Sequence, residues 1–228
     1  MGLADLLFRR AVHPRFAAFG RRFASDRRWP AAAGSPGDVA LAALRGDAAL
    51  IAFLGTWPGV SFNRGVYRSL AAGEIAAYIA RVAAAWPAYA ERICPFGYDW
   101  LNRIYCVDFG AVADGAPALV MFSHLNGLVV DIPMRLEDFH NTALVAHYDE
   151  ALEVPLFGRF LAASGKRCLE RQACAGMGVP LFLGGEYGVD NMQLTDVEVD
   201  WHITTQLLCQ TRELEPGAVV SRVSVATG

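Results

Sequence analysis

Apolar positions recur at two different periods along this chain, and the change falls near residue 96. In the first part Val12, Phe16, Phe19 and Phe23 stand at helical spacing with arginines between them. This predicts an amphipathic helix with its phenylalanines in a core. Ser35-Pro36 predicts an N-cap and first helical position for a second helix. Leu41, Leu44, Ala48 and Ile51 mark its expected buried face, with a split at Gly46 and a stop at Gly55. Residues 55–73, rich in glycine, aromatics and turn formers, predict an ordered loop. Glu74 to Trp86 predicts the clearest helix of the N-terminal part, closed by Pro87.

After residue 96 the pattern predicts strands. Ile104 to Phe109, Ala118 to Phe122 and Leu128 to Ile132 are separated by Asp114-Gly115 and Asn126-Gly127. Both pairs tolerate positive φ, so a three-stranded antiparallel meander is expected over residues 103–132. Pro155 to Ala163 predicts a helix with Gly165 at its C-terminal end. Residues 194–212 carry two conflicting periods. Asp196, Glu198 and Asp200 alternate with Val197, Val199 and Trp201, as in a strand. Thr195 and Glu198 have capping-box spacing, Leu194 and Val199 have staple spacing, and acids in a first turn suit the helix dipole. A helix starting near Thr195 is expected, with Val197, Trp201, Thr204 and Leu208 on its buried stripe. Ala218 to Val225 is a candidate edge strand.

Composition narrows the function classes. At 228 residues, 54% hydrophobic and 19% charged, the chain has the wrong balance for disorder. A net charge of −3 disfavours a general nucleic-acid binder. Residues 1–105 hold 13 basic and 7 acidic side chains, whereas residues 106–228 hold 7 and 16. Such asymmetry points to a charged partner or to halves that attract each other. The N-terminus lacks the pattern of a signal peptide, and no apolar run reaches the ~20 residues a membrane span requires. Five cysteines without a C-x-x-C pair predict neither a disulfide framework nor structural zinc, and fit a reducing cytoplasm.

Candidate chemistry is sparse. His140, His147 and Asp149 match no standard metal spacing, so surface or capping roles are expected for them. Cys106 sits among apolar neighbours and reads as buried and inert. Gly184-Gly185 follows an apolar run but lacks the rest of a phosphate loop, and a tight turn or close packing is expected. A cysteine hydrolase would need a cysteine paired with a nearby base.

Several stretches in order resemble a family. They are Phe53-Leu54-Gly55-Thr56-Trp57-Pro58-Gly59-Val60-Ser61-Phe62-Asn63-Arg64-Gly65-Val66-Tyr67-Arg68, Phe96-Gly97-Tyr98-Asp99-Trp100-Leu101-Asn102-Arg103 and Glu137-Asp138-Phe139-His140-Asn141. Val179-Pro180-Leu181-Phe182-Leu183-Gly184-Gly185, Asp190-Asn191 and the Trp201 to Arg212 segment continue the series. Over roughly residues 50–212 the chain resembles type VI secretion immunity proteins, with a GAD-like N-terminal segment and an immunity domain that pairs with DNase effectors. The resemblance implies a non-enzymatic cytoplasmic antitoxin, with a cognate effector nuclease as its protein partner. No cofactor, metal, nucleic acid or membrane partner is expected.

The expected fold is α+β, with a helical part at 1–93 and an α+β immunity domain at 94–228 packed as one unit. A nuclease presents a basic groove, and an inhibitor can meet it with carboxylates. Asp131, Glu137, Asp138, Asp149, Glu150 and Glu153 are the candidate contacts. A general intracellular interaction module on the same fold is the alternative function, ahead of a cysteine hydrolase.

Overall fold

The computed structural model describes residues 12–26 and 37–214. The expected starts at Ser35-Pro36 and the tail at 218–225 lie outside these residues. After a 3₁₀ turn (Pro14–Phe16) come α1 (Ala17–Arg22), α2 (Asp38–Leu44) and α3 (Ala48–Thr56). Then follow β1 (Ser61–Phe62), β2 (Tyr67–Ser69), α4 (Ile75–Ala85), β3 (Ile93–Asp99), β4 (Ile104–Ala113), β5 (Ala116–Ser123) and β6 (Leu128–Ile132). A helical run comprises α5 (Leu136–Asp138), a π turn (Phe139–Ala143), α6 (Leu144–Ala146), α7 (Tyr148–Ala151) and α8 (Val154–Ala163). β7 (Ala173–Met177), β8 (Met192–Asp196) and α9 (Val197–Thr211) complete the fold.

The protein is α+β, as expected. Its main sheet is an antiparallel meander in the order β1-β2-β3-β4-β5-β6, and β7 pairs with β8 separately. The expected meander is present as β4-β5-β6. It turns at Asp114-Gly115, both with positive φ, and at the segment containing Gly127. Residues 55–73 are not a loop throughout, because they supply β1 and β2. The division at 93/94 falls inside β3, so the sheet draws on both sides of it. β2 and β3 escaped the period because they are buried along their whole length, Arg68 and Ser69 included. Alternation appears only where one face of a strand meets water. Gly97 in β3 is required sterically: a Cβ there would lie 2.7 Å from both Arg68 O and Tyr67 Oη.

One hydrophobic cluster runs from Phe16 to Leu208. Phe16, Phe19 and Phe23 are buried as expected, but Val12 is exposed and α1 is short. The second expected helix is split, as its glycine suggested, with Arg45 and Gly46 both at positive φ. Its buried face was misplaced: Leu41 and Ile51 face solvent, while Ala40, Leu50, Phe53 and Leu54 are buried. Ile75, Tyr78 and Val82 bury one face of α4, which packs against β3 and α9. The period conflict at 194–212 resolves into both answers. A strand runs to Asp196 and a helix starts at Val197. The cap is Asp196, whose Oδ1 accepts from the N–H groups of Glu198 and Val199, so Thr195 does not have that role. The expected staple pair, Leu194 and Val199, is exposed, whereas Val197, Trp201, Thr204 and Leu208 are buried. Among the described residues no helix is long and apolar enough to cross a membrane.

Candidate functional site

The family-like motifs build internal polar networks. In the turn after β3, Asp99 Oδ1 accepts the N–H groups of Leu101 and Arg103. Its Oδ2 accepts from Arg103 Nε at 2.5 Å and from the Tyr105 hydroxyl at 2.9 Å. Arg103 also donates to Glu153 at 2.8 Å, and the Tyr187 hydroxyl donates to the other oxygen of Glu153. Burial opposes the charge on Arg103, but Asp99, Tyr105 and Glu153 outweigh it and keep the guanidinium protonated. Asn141 Oδ1 accepts from Ala18 and Phe19 N–H and so anchors α1. Asn191 closes the loop after β7 by bonding both the N–H and C=O of Val179 and the C=O of Glu186. A Cβ at Gly185 would fall 1.9 Å from Val179 O, and Gly184 turns the chain at positive φ, so the pair serves a tight turn and close packing, as expected.

A second network joins β7, α9 and the turn after β5. Asp200 Oδ2 accepts from His124 Nε2 at 2.6 Å, Asn102 Nδ2 at 3.0 Å and Cys174 Sγ at 3.6 Å. Burial disfavours the Asp200 charge, yet His124 and these donors hold its carboxyl below the usual range. Gly176 makes room for it, since a Cβ there would lie 2.3 Å from Asp200 Oδ1. Burial, followed by the Asp200 charge, pushes the Cys174 thiol well above its ordinary value. Cys106 is buried as expected, and burial raises its thiol too. Cys174 thus shares a carboxylate with His124, an arrangement that stabilises the thiol rather than the nucleophilic thiolate.

His140 is fully buried, which corrects its expected surface or capping role. Leu136 O, 2.9 Å from Nδ1, only accepts, so Nδ1 carries the proton and Nε2 accepts from the Tyr67 hydroxyl at 3.1 Å. His147 and Asp149 are exposed, and among the described residues no His, Cys, Asp or Glu group is arranged to hold a metal.

The six candidate acids fall in three places. Asp131 is exposed on the edge strand β6. Glu137 and Asp138 lie on α5, paired with Arg15 at 2.7 Å and Arg135 at 2.8 Å. Asp149 and Glu150 are exposed on α7, while Glu153, just before α8, is tied to Arg103. Asp149 and Glu150 have no ion-pair partner among the described residues, whereas the Asp131 charge acts on the Arg92 guanidinium. A cleft of about 220 Å³ opens beside Glu137, lined by Arg15, residues 47–49, Val107, residues 116–117 and Arg135. Sequence reasoning missed Arg15 and Asp47 as site residues. The only local signal was Asp47 as a helix cap, accepting from Leu50 N–H at 2.8 Å.

No protein-family model matches the chain, and no curated protein matches it. Among solved structures it is similar to the crystal structure of Atu4351 from Agrobacterium tumefaciens. The TM-score is 0.59 at 18% identity, over 82% of this chain and 86% of that one. At that identity the likeness is one of fold.

Proposed function

We propose that this chain is a cytoplasmic immunity protein that binds and neutralises a cognate type VI secretion DNase effector without catalysing a reaction. The observation that carries the reading is that Asp149 and Glu150 are exposed on α7 without an ion-pair partner among the described residues, while the family-like polar motifs are engaged internally. A scaffold that consumes its buried polar groups in its own framework leaves recognition to surface acids. Such acids suit a basic nuclease groove, because opposite charge speeds encounter. The resemblance of the ordered motifs supports the reading, and an interface of roughly 1,600 Å² is expected for tight inhibition.

The test is co-purification with the product of the neighbouring gene, then the association rate at low and high salt. Exposed charges are screened beyond about 8–10 Å, so salt should slow association. Asp149→Lys with Glu150→Lys should slow it further while changing stability by no more than about 0.5 kcal/mol. Glu153 is left out because its reversal would set a lysine against the Arg103 guanidinium. Association indifferent to salt and to the double reversal would reject electrostatic recognition at α7. Binding to several unrelated proteins would favour the general interaction module.

A further inference from the structure

Strand β6 is the last strand of the main sheet, so half of its N–H and C=O groups point away from β5. Among the described residues no backbone hydrogen bond joins that outer edge to another strand or helix. Natural edges are guarded by lysine, proline or a bulge. β6 reads Leu-Val-Val-Asp-Ile in unbroken register with β5 and has none of these. Leu128 (52% exposed) and Val130 (39%) leave an apolar strip along the same face. The end of α9 points to what covers this edge. A Cβ on Gly127, the residue before β6, would lie 2.7 Å from Leu208 Cδ1, so the last turn of α9 sits at the start of β6. The described chain reaches Leu214 shortly after that contact. Glu215-Pro216-Gly217 follows, then Ala218-Val219-Val220-Ser221-Arg222-Val223, rich in β-branched residues. From this placement we propose that residues 219–223, which lie outside the described residues, add to β6 as a further parallel strand, with Val219 beside Leu128 and Arg222 beside Asp131.

Reach sets the direction. The chain departs beside the first residue of β6 and so meets the edge running the same way. The opposite direction would need residues 215–218 to stretch nearly straight along β6 first, about 17 Å of reach against about 13 Å of strand. Area sets the occupant. An edge pair over the 5 residues of β6 falls far short of the roughly 1,200 Å² that a stable interface between separate chains buries. A tethered segment does not need that area, because its effective concentration is on the order of millimolar. This favours the chain's own segment over a second copy. The register also matches chemistry. Val219 and Val223 extend the apolar strip of Leu128 and Ile132, and Arg222 brings a cation to Asp131, whose charge also acts on Arg92. The proposal does not depend on the immunity reading.

Amide hydrogen exchange by NMR on the full chain tests it. The outward amides of β6 are compared between wild type and the double variant Val220→Pro with Ser221→Pro. Two adjacent prolines remove strand donors on both sides of the segment. Exchange of those β6 amides should speed up about tenfold or more in the variant, with the α9 amides unchanged as the folding control. Asp131→Lys should speed it about threefold, and adding Arg222→Asp should restore it, as for a cross-strand charge pair. Nuclear Overhauser contacts between residues 131 and 222 should arise within one chain. Equal exchange in wild type and the double-proline variant overturns the proposal, and so does failure of Arg222→Asp to rescue Asp131→Lys. Contacts from β6 to a second copy, seen in a mixture of labelled and unlabelled chains, overturn it in favour of a dimer.

Discussion

Two histidines are fully buried in this protein, and their surroundings treat them in opposite ways. His140 sits in an aromatic box, with Phe53, Phe19, Phe96, Phe139 and Phe16 ring centroids 4.1–5.6 Å from its own. Its hydrogen bonds are to neutral groups, and burial pushes its pKa down to about 3. His124 instead meets the Asp200 carboxylate and packs on the Trp201 ring at 4.6 Å. At the first site burial outweighs the Leu136 hydrogen bond, which favours the protonated ring. At the second, a paired charge competes with burial and prevails on the Asp200 side. The apolar site needs only shape and two neutral partners, whereas the polar site depends on every member of its network.

Breaking that network should have the largest effect. Asp200→Ala removes the acceptor shared by His124, Asn102 and Cys174, drawn from three separate elements. Losing one partner of a buried pair costs about 3–5 kcal/mol, measured as a lower denaturation midpoint. A loss below 1 kcal/mol would show that the three donors find other partners.

Acid should separate the two regions by pH window. The folded-state pKa of His140 is depressed, so between pH 6.5 and about 3 the unfolded chain takes up a proton that the folded chain refuses. Stability therefore falls as pH drops through that window, by about 2 kcal/mol from pH 7 to pH 5 for this one group. The Asp200 carboxyl is also depressed, but it is an acid. Its contribution is complete above its ordinary pKa of about 4 and is lost only below it. Unfolding titrations of wild type and His140→Phe should differ in slope between pH 7 and pH 5. Equal slopes would place the pH 5–7 loss elsewhere.

The smallest effect concerns the entry to α9, which delivers Asp200 to the polar cluster. Asp196→Ala should cost about 1 kcal/mol as a lost cap, and Thr195→Ala should cost less. The reverse order, read from thermal melts, would restore the cap to Thr195.

Local rules made much of this fold legible in advance. The turns at Asp114-Gly115 and Gly127 follow from backbone sterics, and α4 and α8 from helical spacing and proline. The burial of Phe16, Phe19, Phe23 and Trp201 follows from their periodicity. The cap of α9 was misassigned because Thr195 and Asp196 are both good caps, and pairing of Thr195 with Cys174 across β7 and β8 extends the strand by one residue. β2 and β3 were illegible because burial on both faces erases alternation. The candidate acids were legible as residue types but not as a site. Whether Glu153 is a contact or a strut depends on Arg103, 50 positions away.

What the sequence determined by itself was therefore short-range: turn chemistry, helix stripes, charge imbalance, and the α+β class. Only tertiary structure decided which polar groups are withdrawn from water and which carboxylates keep an unpaired charge. It also decided where a cleft opens, at the meeting of residues near 15, 47, 107, 116 and 136. The physical reason is that a pair's energy depends on distance and on the dielectric around it. Neither exists until segments remote in the chain have packed together.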